Sequence, residues 1–288
     1  MKHIGFIVGT GRCGTTIIGQ VLNSHSKICV PHELQIVVCI GNGERLYDKS
    51  LSNKLVTYTA DDFIRLIDDC CPYYFERYFD YVTHFRELQY PQTSIGQTLR
   101  DLFDHICFDY GKEIFFEQTP WYGQRLGILK ELFPEMKVMH LIRDGRDVAI
   151  SFARTPWWSR DIRKNLQQWQ QEVTVIHEYG RENPAGFLEI RYEDLVLNPE
   201  KELKKIMTLF DLSFEDTMLD PARLVDYSVL FKHNDREFRS DENRQWLKKK
   251  RNVFFPESIG AWKRFQEFDF SVLPLGVART LQLFDYEV

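Results

Sequence analysis

The segment IGFIVGTGRCGTTIIGQVL, residues 4–22, constrains the fold of this chain more than any other part of the sequence. Apolar residues lead into a glycine-rich turn, and a helical pattern follows directly. Gly9, Gly11 and Gly14 allow the backbone to turn tightly and to bring its N–H groups close to an anion. The positive end of the helix dipole lies at the same place. The segment therefore predicts an anion-binding turn, with a plain strand-to-helix connection as the alternative.

The turn is similar to the phosphate-binding loop of nucleotide hydrolases, except at one decisive position. Gly9 and Gly14 enclose four residues and Thr16 supplies a hydroxyl, but Thr15 stands where those hydrolases need a lysine. Because that lysine contacts the nucleotide phosphates, an ordinary ATP or GTP hydrolase is disfavoured. A P-loop kinase of a small hydroxyl substrate shares the turn and stays an alternative.

A second strand-to-helix junction, KVMHLIRDGRDVAISFARTPW at residues 137–157, carries charged and polar side chains. Arg143 ends the apolar strand, and Ser151 lies about two helical turns further along. Both side chains are therefore expected near one bound phosphate at the carboxyl edge of a sheet. Arg146 is equally basic, but we expect its two nearby aspartates to neutralise it.

Together these two segments resemble the sulfotransferase family that uses 3′-phosphoadenosine 5′-phosphosulfate (PAPS). Two later segments, RYEDLVLNP at 191–199 and PESIGAWKRF at 256–265, are similar to further family motifs and occur in family order. In that family the first turn holds the 5′-phosphosulfate, and the second junction holds the 3′-phosphate through an arginine and a serine. The third segment brings a tyrosine near the nucleotide, and the fourth closes over the 3′-phosphate.

The resemblance implies a donor substrate, PAPS, a desulfated product, PAP, and no metal ion. Loop donors and cationic side chains, rather than Mg²⁺, would neutralise the transferred group. The residues that it implies for nucleotide binding are Arg12, Cys13, Gly14, Thr15, Thr16, Arg143, Ser151, Tyr192, Arg251, Ser258 and Gly260. Cys13 is expected there for its small size rather than for its reactivity. Arg251 belongs to a basic run, 248–251, whose alternative is a solvated surface stretch.

Three residues are candidates for the chemistry: Glu33, Arg12 and Gln118. An acceptor hydroxyl becomes a nucleophile only if its proton can leave, so a base must face the sulfuryl group. Glu33, in VPHEL, stands where tyrosyl-protein and heparan sulfotransferases carry a glutamate, and His32 is the alternative base. Arg12 matches the basic residue that the family places against the leaving oxygen. Gln118, in EQTPW, stands where many relatives carry a lysine, so it would donate a neutral hydrogen bond and no charge.

Length and hydrophobic patterning predict one domain, residues 1–288, with a three-layer, P-loop-like α/β fold. Short apolar runs separated by helix-length stretches predict a parallel sheet with strands at 4–8, 28–30, 114–116, 138–142 and 187–190. Helical patterns lie at 15–24, 122–133, 146–154, 159–179 and 199–210, with Asn198 as the cap of the last. The interval 34–112 lacks a clear central strand, and we expect a helical, aromatic-rich insertion on the acceptor side.

The composition limits which binding partners, compartment and metal sites we expect for this chain. A net charge of −5 argues against a general nucleic-acid binder. No apolar stretch approaches the roughly 20 residues that span a bilayer, and the first core strand begins at once, so we expect a cytoplasmic protein. Six cysteines without paired CxxC spacing are expected to be reduced thiols rather than a zinc site.

The acceptor stays open between carbohydrate hydroxyls, a tyrosine phenol, a lipid headgroup and a small metabolite. The aromatic residues of 34–112 and the pair Trp157 and Trp158 favour a carbohydrate or a similarly bulky hydroxyl compound. A non-catalytic PAP-binding module is a further alternative, favoured if Gln118 marks a loss of catalysis. No sequence feature sets the oligomeric state.

Overall fold

A parallel five-stranded sheet forms the centre of the computed structural model, which describes residues 3–31, 33–34, 57–58, 61, 64, 93–156, 158–224 and 253–288. Its strands are β1 (His3–Gly9), β2 (Ile28–Cys29), β5 (Ile114–Glu117), β6 (Lys137–Ile142) and β7 (Phe187–Arg191). A separate antiparallel pair joins β3 (Thr57–Tyr58) to β4 (Thr93–Ser94). The predicted parallel sheet is confirmed.

Helices cover both faces of the sheet, which gives the predicted three layers. They are α1 (Thr15–Asn23), α2 (Ile95–Asp109), α3 (Leu126–Leu132), α4 (Gly145–Ala153), α5 (Ile162–Glu182), α6 (Tyr192–Leu197), α7 (Pro199–Leu209) and α8 (Leu275–Leu283). Side chains alternate along β1, so Ile7 packs with apolar residues of α1 and α7, whereas Phe6 contacts Tyr122 and Phe133 on the opposite face. Both faces are apolar because both are covered.

The strand order β2-β5-β1-β6-β7 places β1 in the middle of the sheet. The chain runs from β1 to the edge strand β2, returns to β5 beside β1, and then crosses to β6 on the other side. In open parallel sheets, ligands bind at the carboxyl ends of the strands where the order reverses. The residues that follow β1, β5, β6 and β7 therefore meet at one edge of the sheet.

The predicted helices are present with shifted ends. The pattern at 122–133 begins as a 3₁₀ turn, Pro120–Arg125, before α3. Asn198 occupies the expected cap position, but the prediction that its side chain caps α7 is wrong. Asn198 also ends α6, where its N–H donates to the Asp194 carbonyl. α2 lies within the 34–112 interval, where we expect helices but give no bounds, whereas the sequence patterns do not predict α6 and α8.

Several sequence predictions fall outside the described residues, namely those on His32, Trp157, Arg251, the aromatic residues of the insertion between 65 and 92, and three of the cysteines. The cysteines of the described part, Cys13, Cys29 and Cys107, are buried free thiols as predicted. Within the described ranges, no helix has the length and apolarity to cross a bilayer. The same ranges contain no cluster of His, Cys, Asp and Glu that would ligate a metal ion.

Candidate functional site

The first turn requires glycine at Gly14 for two reasons. Its φ of 105° lies in the left-handed region, which side chains with a Cβ rarely adopt. An added Cβ would also lie 2.7 Å from the ring of Tyr192. The first turn therefore packs directly on the tyrosine of the third motif.

Arg12 joins the first turn to the second motif. Its Nε donates to Ser151 Oγ at 3.0 Å. Although Arg12 is exposed, protein atoms crowd its side chain, and this desolvation lowers its pKa; the positive charge of Arg143 lowers the pKa further, whereas Glu33 opposes the shift. A guanidinium stays protonated in proteins, so two positive charges lie close together where an anion would be stabilised.

Arg143 makes contacts with three of the four motifs. One Nη atom donates to the Arg12 carbonyl at 3.2 Å, and the other donates to the Ser258 carbonyl at 2.7 Å. Its guanidinium lies 4.8 Å from the ring centre of Tyr192. Its backbone is held as well, because the buried indole of Trp169 donates to the Arg143 carbonyl at 3.0 Å. The predicted pair Arg143 and Ser151 therefore lies beside the first turn.

The C-terminal loop, which we define as residues 255–264, lies against this arginine. Tyr192 OH is 2.9 Å from Ser258 Oγ, which itself donates to the Phe255 carbonyl at 2.6 Å, so the tyrosine donates to the serine. The backbone N–H of Gly260 and that of Trp262 each donate to Asp147, at 2.8 Å. Ser258 and Gly260 therefore lie beside the second and third motifs.

Arg146 has a structural role. Asp144 accepts two hydrogen bonds from its guanidinium, at 2.9 and 2.8 Å, and the indole of Trp262 lies 3.7 Å from the guanidinium carbon. Asp144 therefore neutralises Arg146 as expected. Asp147 does not, because its two oxygens accept hydrogen bonds from the C-terminal loop.

Glu33 lies on the other side of β1, beside the end of β5. The next residue, Leu34, donates its backbone N–H to Glu117 at 2.9 Å, and Thr119 donates its N–H and its hydroxyl to the same carboxylate, each at 2.7 Å. Burial raises the pKa of Glu117 to about 7, and the charge of Glu33 adds to the shift. Glu117 therefore ties the Glu33 segment to the tip of β5.

Gln118 is completely buried, and neither atom of its side-chain amide has a hydrogen-bond partner within the described structure. A Cβ on Gly19 would lie 2.7 Å from Gln118 Oε1, so the amide lies beneath α1. An unpartnered buried amide is costly, which makes this position unlike an ordinary core residue.

Three other predicted residues belong to the first turn and the start of α1. Cys13 Sγ donates to the Thr10 carbonyl at 2.7 Å, and burial raises the pKa of this thiol to about 12. The thiol is therefore neutral and small rather than reactive, as predicted. Thr15 is buried and Thr16 is exposed at the first turn of α1.

An aromatic cluster, defined by Trp121, Phe152 and Trp158, lies beside the first turn. The ring centre of Trp158 lies 5.3 Å from that of Trp121 and 4.7 Å from that of Phe152. A Cβ on Gly11 would be 2.8 Å from Phe152, so glycine permits this close approach. Trp158 thus packs within the cluster.

The structure brings nearly all of the predicted residues to one edge of the sheet. Two residues whose importance the sequence did not reveal are Asp147 and Glu117. Each is a buried acid beside a predicted site residue, and from a segment distant in sequence Asp147 accepts two backbone N–H groups and Glu117 accepts one. Such partners are set by tertiary packing, so local spacing carries no signal for them.

Comparison with known proteins gives curated relatives of modest similarity. Protein-tyrosine sulfotransferase A of Caenorhabditis elegans is 23% identical over 248 residues, which cover 80% of this chain and 56% of that protein. The protein-tyrosine sulfotransferase of Drosophila melanogaster is 32% identical over 95 residues, 31% of this chain and 19% of that protein. The chain thus spans about half or less of these relatives.

Two solved structures are similar over the whole chain, each at 20% identity. The sulfotransferase domain of the curacin biosynthetic pathway has a TM-score of 0.67, with 100% of this chain and 99% of that chain covered. The sulfotransferase domain of the Synechococcus PCC 7002 olefin synthase has a TM-score of 0.66, with 100% and 97% covered. These likenesses confirm the fold.

The family model described as "Sulfotransferase family" matches residues 6–216. This range includes the first turn, the junction from Arg143 to Ser151 and the segment of Tyr192. As its motifs predicted, the chain belongs to the sulfotransferase family.

Proposed function

We propose that this protein transfers a sulfuryl group from PAPS to an acceptor hydroxyl. The observation that supports this best is the position of Arg143, which donates to the carbonyls of both Arg12 and Ser258. One guanidinium thus adjoins the first turn and the C-terminal loop, the two segments that the resemblance assigns to opposite ends of the nucleotide. A single ligand with phosphates at both ends fits that arrangement.

The residues at the β6 and β7 tips would bind the 3′-phosphate. Arg143 supplies positive charge, Ser151 supplies a hydroxyl, and the ring of Tyr192 packs against Arg143. Ser258 of the C-terminal loop would donate to the phosphate once its hydroxyl turns away from the Phe255 carbonyl. Arg12 would contact the 5′-phosphate and the leaving oxygen, together with the first turn of α1. Arg251 stays a candidate contact from outside the described residues.

In the proposed step, the acceptor oxygen forms a bond to sulfur while the bond between sulfur and the phosphate oxygen breaks. Glu33 takes the proton of the acceptor hydroxyl, and Arg12 stabilises the negative charge that develops on the phosphate oxygen. The transition state is loose and spreads charge, so fixed donors matter most. Gln118 would contribute a neutral hydrogen bond, and no metal ion takes part.

Two observations support Glu33 as the base. Its neighbour Leu34 is held by Glu117, which fixes the segment at the end of β5. Its charge also influences the pKa of both Arg12 and Glu117, so it lies near the turn and near the end of β5 at once. This position fits a base that takes the proton of an acceptor approaching the sulfuryl group.

We propose a carbohydrate or a similarly bulky hydroxyl compound as the acceptor, with the 34–112 interval on the acceptor side of a single domain. In the aromatic cluster beside Gly11, Phe152 is buried, but Trp121 and Trp158 are partly exposed and would offer ring faces on which a sugar or another flat acceptor packs. Because two relatives are named protein-tyrosine sulfotransferases, a tyrosine-containing peptide belongs in any acceptor panel.

Ligand-induced thermal shifts separate this proposal from its alternatives. A ligand at 100 times its Kd stabilises a protein by about 2.7 kcal/mol. We expect PAP to raise the Tm and ATP with Mg²⁺ to leave it unchanged. A rise with ATP and Mg²⁺ alone would indicate a P-loop kinase and overturn the proposal.

Turnover separates the enzyme from a silent PAP-binding module. Labelled PAPS is incubated in EDTA with a panel of a monosaccharide, an oligosaccharide, a tyrosine peptide and a simple phenol. We expect transfer to at least one acceptor, and much slower transfer by Glu33→Gln. Binding of PAP without transfer to any acceptor would support the silent module instead.

A further inference from the structure

We propose that Asp147 is a positioning residue for recognition of the nucleotide 3′-phosphate, because it holds the C-terminal loop beside Arg143. This inference rests on the proposed function and extends it to a residue that touches no ligand. Asp147 lies one helical turn after Arg143, on α4.

The contacts of Asp147 are directed to the loop and not to the site. Its side chain is fully buried, one oxygen accepts from Gly260 N and the other accepts from Trp262 N, both at 2.8 Å. A carboxylate that accepts two backbone N–H groups fixes the position of that backbone strongly. The Gly260 N–H is therefore used within the protein and is not directed at a phosphate.

The loop that Asp147 holds carries Ser258. The Ser258 carbonyl accepts from Arg143 at 2.7 Å, and the Ser258 hydroxyl accepts from Tyr192. Asp147 Oδ2 itself lies 3.9 Å from the Arg143 guanidinium. The contacts around Ser258 thus depend on where the loop lies, and the Asp147 carboxylate sets that position from α4.

Charge also argues for an indirect role. A free carboxylate next to a phosphate would repel it, so an acid here is compatible with anion binding only if its charge is compensated. The two N–H donors and the nearby Arg143 compensate it, while Asp144, the other acid close by, pairs with Arg146. Asp147 is therefore suited to organise the pocket and unsuited to line it.

The test compares two ligands that differ only in the 3′-phosphate, PAP and adenosine 5′-monophosphate (AMP), by calorimetric titration. For Asp147→Asn we expect PAP affinity to fall about 10- to 100-fold, the range that one charge-assisted hydrogen bond is worth. Affinity for AMP should change by less than about threefold. The ratio of the two affinities is the decisive readout, since general destabilisation would weaken both ligands alike.

Glu202→Gln is the matched control. Glu202 is also a buried acid, but it lies on α7 and pairs with Lys205 of the same helix rather than with the C-terminal loop. This variant should keep the wild-type ratio of PAP to AMP affinity.

Gly260→Ala tests the same contact from the loop side. Gly260 has a φ of 65°, where alanine is disfavoured, and the space around its Cβ position is open to 3.8 Å, so the change disturbs the turn without a clash. We expect the same selective loss for PAP, and a double variant that loses less than the sum of the two single losses. If Asp147→Asn fails to fold, the ratio of affinities measured for Gly260→Ala decides the question alone.

The outcomes separate this inference from the proposed function. If the wild type prefers PAP over AMP and both variants keep that preference, or lose both ligands equally, the role of Asp147 is refuted while the proposed function stands. If the wild type does not bind PAP, the proposed function fails and the inference fails with it.

Discussion

The two halves of the site differ in how their polar groups are paired, although neither half is fully paired, since Arg143 Nε on the β6 side also has no hydrogen-bond partner within the described residues. On the β6 and β7 side, Arg143, Tyr192 and Ser258 contact one another, and Asp147 accepts two N–H groups of the C-terminal loop. On the β5 side, the amide of the buried Gln118 has no partner within the described residues. A carboxyl with a raised pKa, Glu117, lies next to it in sequence.

From this difference we infer that the two halves have different roles in the proposed reaction, one in nucleotide binding and the other in the chemical step. A half whose side chains already contact one another would need little rearrangement to hold a nucleotide, which favours affinity. Chemistry instead needs groups with perturbed pKa values and unsatisfied donors, since these interact most strongly with a developing charge. We therefore expect changes on the β5 side to alter turnover and changes on the β6 and β7 side to alter binding.

Glu33→Gln is the sharpest test of this division and has the largest expected effect. The variant keeps the shape of the side chain but cannot accept the acceptor proton, so we expect kcat to fall by about 100- to 10,000-fold. PAP affinity should stay within about threefold of the wild type. A fall in PAP affinity as large as the fall in kcat would contradict the claim that the β5 side acts on turnover and not on binding.

Arg143→Ala should act in the opposite way. Removal of a charged partner from a part-buried phosphate site costs about 2–5 kcal/mol, so we expect PAP affinity to fall by at least about 30-fold. At saturating PAPS, the kcat of Arg143→Ala should stay near that of the wild type although its PAP affinity is lower. Arg181→Ala, an arginine in the last turn of α5, serves as the control for loss of one positive charge.

Gln118→Met asks whether the unpartnered amide is functional. Because an unsatisfied buried polar group costs about 1–3 kcal/mol, an apolar side chain of similar size should raise the free energy of unfolding by about that amount. Turnover should fall by about tenfold, the worth of one neutral hydrogen bond from the amide to the sulfuryl group. Gln20→Met is the control, since Gln20 is a buried glutamine that has an interaction partner, and its loss should destabilise.

Unfolding measured against pH tests a buried acid of the scaffold, Glu172 on α5, and has the smallest expected effect. Burial raises its pKa from 4.5 to about 7, against a hydrogen bond from Gln168. The folded state binds the proton of the Glu172 carboxyl more tightly than the unfolded state does. The contribution of this protonated carboxyl to the free energy of unfolding is therefore full below pH 4.5 and is lost as the pH rises through about 7. At about pH 8, Glu172→Gln should therefore be more stable than the wild type by on the order of 1 kcal/mol. Equal stability of the two proteins at that pH would contradict this.

The sequence is sufficient to predict the central strands and the residues at their tips. Apolar runs bounded by glycine or charge are local signals, which is why the predicted bounds of β1, β6 and the turn around Gly14 agree with the structure within a residue or two. The contact from Asp147 to Gly260 joins residues more than a hundred positions apart. Such contacts follow from packing, and so do the burial of Gln118 and the raised pKa of Glu117.

Arg12 adopts a φ of 69°, a left-handed conformation that costs a residue with a Cβ about 1–2 kcal/mol and costs glycine almost nothing. Glycine at this position would relax the turn and remove the positive charge in a single change. Selection for thermostability alone would therefore favour losing the arginine. In the proposed function this arginine gains catalysis at the expense of robustness, and the strain is stored at the centre of the proposed anion site.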